Sequence, residues 1–254
     1  MRPTSISWTE MASNPVHFVS REGKKGWLCS KVSHGCVNCY AEAINKRFGN
    51  GLDYNLTSVG RGEWQLYRKE IEAWGKLDNP AKIFVCDMTD LFHDSVPDSF
   101  RDEIFAGMEV APWHTYQVLT KRPEGILRYY GQKIEHGNWD FPNNIWLGVT
   151  IESPDYLYRL DALKRIPVST RFVSFEPLLA DIGTVDLTDI AWIIVGAESG
   201  PNRRPFNLEW AYNLLNQAKR HGVKFFMKQN TALRPGSMDG IPEDLRIREF
   251  PVEV

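Results

Sequence analysis

The sequence predicts an α/β fold, a partial (β/α)6-type TIM barrel with mostly parallel strands. Short β-rich runs alternate with helical segments from residue 82 onward. These runs are almost continuously hydrophobic, which is typical of parallel strands. No Gly-x-Gly-x-x-Gly motif follows a strand, which argues against the second candidate, a doubly wound dinucleotide-binding sheet. Because the 254 residues contain no linker or low-complexity tract, a single domain over residues 1–254 is expected.

Seven strands are predicted from runs rich in Val, Ile, Phe, Trp and Thr. They are SISW (5–8), KIFVCD (82–87), TYQVLT (115–120), NIWLGVTI (144–151), TRFVSFE (170–176), AWIIVGA (191–197) and VKFFMK (223–228). The predicted helices between them are 97–111, 123–135, 153–166 and 207–222. Ser153 and Asn207 suit the N-cap position, and Pro154 suits the first helical position. Gly222 suits a C-terminal cap. The segment 177–189 is too short and irregular for a helix.

Composition and charge limit the class of protein. The hydrophobic content of 43% and the charged content of 24% are typical of a globular protein in water. The net charge of −2 excludes a basic field over the whole surface. No apolar run is long enough for a membrane span, and the N-terminus lacks the apolar core of a secretory signal. We therefore expect a cytoplasmic protein without membrane contact, whose turn-rich residues 230–254 pack as an appendage.

Charged and polar residues follow six of the predicted strands. In a βα barrel the chemistry lies at the carboxyl ends of the strands. The candidates for cofactor binding there are Asp87, Met88, Thr89, Asp90, Lys121, Arg122, Glu152, Glu176 and Glu198. Ionised side chains at the ends of apolar runs need a partner or a polar cavity, so an active-site rim is predicted. Two alternatives are a solvated rim and a metal-independent hydrolase that uses two of the glutamates as acid and base.

The loop predicted over residues 9–40 carries Cys29, Cys36 and Cys39 in a Cys-x6-Cys-x2-Cys pattern. Clustered cysteines in a reducing compartment predict metal binding or catalysis, and three thiolates leave a metal with an open position. Thiolates suit zinc, copper(I) or an iron–sulfur cluster. Cys39 is expected at the start of a helix near Asn38, which favours its thiolate form.

Two further thiol hypotheses remain open. A Cys3His zinc site that includes His34 or His17 would make the chain a nucleic-acid-binding module without catalysis. Cys86 lies in an apolar strand and is predicted to be a core residue. The alternative for Cys86 is a hydrogen-atom donor that faces the barrel interior.

A cysteine triad in the loop after the first strand of a βα barrel resembles the radical S-adenosylmethionine (SAM) superfamily. That superfamily usually has the spacing Cys-x3-Cys-x2-Cys, from which this chain departs. Over residues 30–229 the resemblance is closer to a family of uncharacterised bacterial and phage proteins. That family keeps the Cys-x6-Cys-x2-Cys spacing, and it is grouped with radical-SAM proteins and is similar to spore photoproduct lyase. The blocks that carry this resemblance are SKVSHGCVNCYAE, DMTDLFHDSVP, HTYQVLTKRPE, WLGVTIES, RFVSFEPLL, WIIVGAESGP and KFFMKQ.

The resemblance implies a radical SAM enzyme. Its three cysteines would bind a 4Fe-4S cluster, and SAM would chelate the open iron through its amino and carboxylate groups. Reduction by a donor such as flavodoxin or ferredoxin would cleave SAM to a 5′-deoxyadenosyl radical, and a modified nucleobase in DNA or RNA is the suggested substrate. Residues 87–90 would meet the SAM amino group, and Lys121 and Arg122 its carboxylate or a substrate phosphate. The three glutamates of the rim would bind ribose hydroxyls or orient the substrate.

Overall fold

The computed structural model describes residues 1–135, 137 and 139–251. Its strands are β1 (Arg2–Pro3), β2 (Met11–Ser13), β3 (Val16–Ser20), β4 (Lys25–Gly26), β5 (Gly62–Leu66), β6 (Lys82–Val85), β7 (Thr115–Thr120), β8 (Ile145–Thr150), β9 (Thr170–Phe175), β10 (Trp192–Gly196) and β11 (Lys224–Gln229). Its α-helices are α1 (Tyr40–Phe48), α2 (Leu56–Val59), α3 (Arg68–Glu72), α4 (Asp98–Val110), α5 (Pro123–Glu135), α6 (Tyr158–Lys164) and α7 (Leu208–His221). No helix in this part of the chain is long and apolar enough to cross a membrane.

Eight strands form one sheet in the order β1-β2-β6-β7-β8-β9-β10-β11. Every pair from β2 to β11 is parallel, and β1 is added antiparallel at one edge. The parallel strands follow one another in chain order without a reversal, and within the described residues β1 and β11 are the two edges. The predicted α/β class with a mostly parallel sheet is therefore confirmed, whereas the described residues form no closed barrel.

The two faces of the sheet pack against different layers. One face supports the main core under the helices, with residues such as Ile83, Leu147 and Phe225. The other face carries a second cluster, named here the inner cluster, which consists of Trp8, Phe84, Trp146, Phe172, Trp192, Ile194 and Phe226.

The inner cluster shows that the sheet bends. The Trp8 ring lies 4.6 Å from Phe84 of β6 and 6.2 Å from Trp192 of β10, measured between ring centroids. In a flat sheet, four strand spacings would separate β6 from β10 by about 19 Å. The sheet therefore curls around Trp8.

The predicted first strand, SISW at 5–8, is wrong. The chain turns at Trp8, whose ring enters the inner cluster, and parallel pairing with β6 begins at Met11 opposite Ile83. Trp8, the aromatic residue that suggested a strand, instead packs inside the bend of the sheet.

The other six predicted strands are confirmed, with ends that differ by at most two residues. The helices predicted at 97–111, 123–135 and 207–222 form as α4, α5 and α7. Asn207 accepts a hydrogen bond from the Glu209 N–H at the start of α7, and Gly222 ends α7 in the left-handed region. The segment predicted at 153–166 divides into a 3-10 helix, Pro154–Tyr156, and the shorter α6. The segment 177–189 contains no helix.

Residues 9–40 hold more regular structure than a loop. They contain β2, β3 and β4, and β3 pairs antiparallel with both β4 and β5 to form a small second sheet. β3 and β5 are more than 40 positions apart in the chain, and β4 has only two residues. Short strands whose partner is distant leave little local signal, so the sequence did not predict this sheet.

The C-terminal segment lies along β11. Met227 donates a backbone hydrogen bond to Ile247, and Glu249 donates one to Phe225. Leu245 is buried in the main core. These bonds occupy backbone groups at the edge of the sheet, which would otherwise offer a template for pairing.

Candidate functional site

The three cysteines lie on a short segment that joins the small second sheet to α1. Cys29 follows β4, Cys36 ends a single 3-10 turn, and Cys39 directly precedes α1. All three are free thiols with partial exposure. The predicted helix start beside Cys39 is confirmed, and the backbone N–H groups of Ala41 and Glu42 are directed at its sulfur. The residues from Cys29 to Cys39 are called the cysteine segment below.

Burial governs the acidity of two of these thiols. It raises the pKa of Cys29 to about 12, an effect to which the Asp90 carboxylate adds and which the Arg122 guanidinium opposes. Burial also raises the pKa of Cys39, against the N–H groups of α1. The charge of Cys39 acts on Cys29, and that of Cys36 acts on Cys39, so the three thiols are electrostatic neighbours. A metal would therefore displace protons from Cys29 and Cys39 when it binds.

The histidines of the zinc hypothesis do not complete a site. His17, on β3, stacks on Tyr67, which follows β5, with ring centroids 4.0 Å apart. His34 is exposed and faces the Tyr156 ring. Among the described residues, no three side chains of His, Cys, Asp or Glu are grouped closely enough to hold a single metal ion. The structure thus gives the Cys3His site no support.

Glu152, at the end of β8, ties the sheet to the cysteine segment. Its side chain is fully buried, and one oxygen accepts a bond of 2.9 Å from the equally buried Arg159. The other oxygen accepts from Lys121 at 3.0 Å and from the Ser33 hydroxyl at 2.5 Å. Burial opposes the charge, but Lys121 and Arg159 overcome it and lower the pKa of Glu152. The Ser33 hydroxyl lies 3.5 Å from the Cys36 sulfur, so Glu152 positions this part of the segment.

Gly35 permits this close approach, because a Cβ there would lie 2.4 Å from the Glu152 Oε1 atom. Real Cβ contacts essentially never fall below 3.0 Å, and Glu152 is held by Arg159. We expect Gly35→Ala to destabilise the fold by about 1–3 kcal/mol, the usual cost of overpacking, in urea denaturation. In α5, Gly131 has no atom within 4 Å of a built Cβ, so Gly131→Ala is the matched control and should be neutral or stabilising. Equal stability of Gly35→Ala and wild type would contradict the close contact.

Glu198 provides a second link between the sheet and the cysteine segment. The Asn38 side-chain amide donates to Glu198 at 3.1 Å and to the Asn202 carbonyl at 2.8 Å. Arg204 forms an ion pair with Glu198 and also donates its backbone N–H to it at 2.9 Å. Glu198 therefore holds Asn38, which lies between the second and third cysteines.

The acidic residues after β6 are fixed to their neighbours. The Asp90 carboxylate accepts hydrogen bonds from the Thr120 hydroxyl at 2.6 Å and from the backbone N–H of Lys121 and Phe92 at 3.0 Å. These bonds join the carboxyl ends of β6 and β7.

Asp87 accepts from the Asn14 amide, and its backbone carbonyl accepts from the Tyr40 hydroxyl at 2.8 Å. Burial raises the pKa of Asp87, and the Asn14 amide opposes this. Tyr40 is 50% exposed, but burial of its hydroxyl raises its pKa, and the charges of Asp87, Cys39 and Glu176 act on the hydroxyl and add to this rise. Tyr40 follows Cys39 in the chain, so its hydrogen bond to the Asp87 carbonyl connects the end of β6 to the third cysteine.

The remaining rim residues, Met88, Glu176 and Thr89, lie in three different environments. Met88 is buried in a cluster with Phe18 and Tyr54 under α1, and Cys29 and Cys39 pack against this cluster. Glu176 pairs with Lys228 across the ends of β9 and β11. Thr89 is buried, and its hydroxyl has no partner among the described residues. The roles of all the rim residues in cofactor binding stay predictions.

Arg122 lies behind Cys29 in a network that the sequence did not predict. It donates to the Ser30 carbonyl at 2.9 Å and to the Ser30 hydroxyl at 2.6 Å. His93 Nε2 lies 2.8 Å from the same hydroxyl. Burial, followed by the charge of Arg122, lowers the pKa of His93 to about 4, so this ring is neutral near pH 7. Ser30 and His93 are 63 residues apart, and no motif connects them.

Cys86 is a core residue, as predicted. It is 5% exposed and belongs to the main core, and its backbone adopts φ 64° directly after β6. Burial raises its pKa above the usual range, and the Val16 N–H is directed at its sulfur.

The fold and the site together define a class: an α/β protein with a mostly parallel sheet and three free cysteines gathered at the carboxyl ends of its strands. Residues 3–247 match the model of the family described as a protein of unknown function, DUF5131, and the chain belongs to that family. No curated protein and no solved structure matches the chain. The grouping with radical-SAM proteins and the similarity to spore photoproduct lyase stay predictions.

Proposed function

We propose that the chain is a radical SAM enzyme that holds a 4Fe-4S cluster through Cys29, Cys36 and Cys39 and binds SAM beside it. One observation carries this proposal: three free thiols that act electrostatically on one another lie on one short segment over the carboxyl ends of the parallel strands. In a 4Fe-4S cluster bound by three cysteines, each thiolate binds a different iron and the fourth iron stays open. The three cysteines supply the donor set that such a cluster needs.

The shape of the sheet supports a partial barrel of the radical-SAM type. The parallel strands follow in chain order from β2 to β11, and the sheet curls around Trp8. The cysteine segment lies over the carboxyl ends of these strands, because Glu152 and Glu198 both contact it. Chemistry in βα barrels is located at this end.

Paired charges at the rim suit a zwitterionic ligand. Lys121 is paired with Glu152, and Lys228 with Glu176, and both lysines keep some exposure. SAM carries an ammonium and a carboxylate, so it can share such pairs without leaving an unbalanced buried charge. When bound, the cluster would supply the electron for reductive cleavage of SAM, and the donor would be a flavodoxin or a ferredoxin. A modified nucleobase in DNA or RNA is the substrate class proposed, in the cytoplasm.

The proposal is tested by reconstitution with iron and sulfide without oxygen. We expect a brown protein with about four iron and four sulfide per chain, which releases 5′-deoxyadenosine when SAM and a strong reductant are added. SAM bound beside the cluster would receive the electron within one complex, so the transfer is intramolecular. Release of 5′-deoxyadenosine is therefore expected even without the true substrate. Metal analysis and chromatography of the nucleoside are the measurements. A colourless protein with one tightly held zinc would contradict the cluster, and a loaded cluster that leaves SAM intact would contradict the enzyme.

A further inference from the structure

A buried group of hydrogen-bond donors lies directly behind Cys29. Ser30, His93 and Arg122 are 5%, 1% and 7% exposed. Arg122 Nη2 donates to the Ser30 hydroxyl oxygen at 2.6 Å, and His93 Nε2 lies 2.8 Å from that oxygen. Ser30 follows Cys29 in the chain, and the charge of Arg122 acts on the Cys29 sulfur. The group therefore adjoins one of the proposed cluster ligands.

The proton positions follow from the contacts of His93. The Ser95 backbone N–H donates to His93 Nδ1 at 3.2 Å, so Nδ1 is the acceptor of the ring. A neutral imidazole then carries its proton on Nε2, and Nε2 donates to Ser30. The Ser95 hydroxyl accepts from Trp64 Nε1 at 3.2 Å and lies 2.8 Å from Nδ1, which agrees with this tautomer.

Two donors remain without an acceptor. The Ser30 oxygen accepts from both His93 and Arg122, so its own O–H is left to donate, and no described side chain or carbonyl accepts it. Arg122 Nη1 is buried and likewise has no partner among the described residues. An unsatisfied buried donor costs about 1–3 kcal/mol, more when it is charged. Two such donors side by side indicate an acceptor that binds there.

We propose that Ser30 and Arg122 donate hydrogen bonds to the sulfur atoms of the bound cluster around Cys29 and raise its reduction potential. This inference rests on the proposed function. Reduction adds negative charge to the cluster, and donors and a cation at its sulfurs stabilise the reduced form. His93 contributes by fixing the orientation of the Ser30 hydroxyl.

The test is a redox titration of the reconstituted protein, followed by electron paramagnetic resonance. We expect Ser30→Ala and Arg122→Met each to lower the midpoint potential, by about a tenfold change in the reduction equilibrium, or about 59 mV for one electron. Ser30→Thr keeps the hydroxyl and should stay near wild type. Ser20→Ala removes a different buried hydroxyl, on β3, and should leave the potential unchanged. Met fills a volume similar to that of Arg without the charge, so Arg122→Met is expected to fold.

The outcomes separate the two proposals. Failure of the wild type to hold a cluster would defeat the proposed function. Variants that load normally and share the wild-type potential would overturn the role of Ser30 and Arg122 while the cluster stands. Loss of folding in both metal-free variants would also overturn it, because it would show that the two side chains serve the fold. If only Ser30→Ala fails to fold, the midpoint potential of Arg122→Met tests the proposal: a lowered potential supports it, and the wild-type potential overturns it.

Discussion

Alanine at Cys29, Cys36 or Cys39 is expected to abolish assembly of the iron–sulfur cluster, whereas alanine at Cys86 is expected to leave it intact. Each of the first three thiols would bind a different iron, so the loss of any one removes a ligand that the cluster needs. Cys86 lies in the main core and is 5% exposed. Iron and sulfide analysis after reconstitution without oxygen measures the effect.

Loss of the cluster can be assigned to a lost ligand only if the cysteine variants still fold. The three cysteines are partly exposed, so their loss should cost little stability, whereas Cys86→Ala should cost about 1 kcal/mol through a small cavity. Thermal denaturation of the metal-free proteins separates folding from metal loading. A full cluster in any one of the three variants would remove that residue from the ligand set, and loss of the cluster in Cys86→Ala would show that the core thiol takes part.

The strands of the parallel sheet were predictable because each is a compact, apolar run that helices cover. β7, for example, has the predicted bounds. The failure at residues 5–8 has a physical cause, since a short run with one isoleucine and one tryptophan has the same local pattern in a strand and in a turn whose aromatic ring fills a core. The strand and the turn are distinguished only by the position of Trp8, which packs among aromatic rings from β6, β9 and β10.

The cysteine segment was recognisable from spacing alone, but its supports were not. Ser33 bonds to Glu152 across 119 positions, and Ser30 bonds to Arg122 across 92. Small hydroxyl residues are common in loops, so neither serine carries a local signal of its role. Charged residues at strand ends could be predicted to lie near one another, because parallel strands bring their carboxyl ends to one edge. The partner of each charge depends on side-chain geometry.

Glu152→Ala is expected to destabilise the protein by about 3–5 kcal/mol, because it leaves a buried cation without its partner. Glu152 and Arg159 are both fully buried. Arg159 also contacts the Thr150 carbonyl at 2.7 Å and the rings of Tyr156 and Tyr158 at 4.3 and 5.8 Å, and none of these groups supplies a negative charge. Urea denaturation of the metal-free protein measures the loss.

The matched control is Glu103→Ala, which breaks an exposed pair with Arg68 and should cost less than about 1 kcal/mol. Glu152→Leu combined with Arg159→Met removes both charges and should recover much of the stability, since an apolar pair of similar volume often matches a buried ion pair. The double variant still lacks the acceptor for Ser33, so it should remain poor at assembling the cluster although it folds. Recovery of both stability and cluster would show that Glu152 serves the fold alone; recovery of stability without the cluster is what its contact with the cysteine segment predicts.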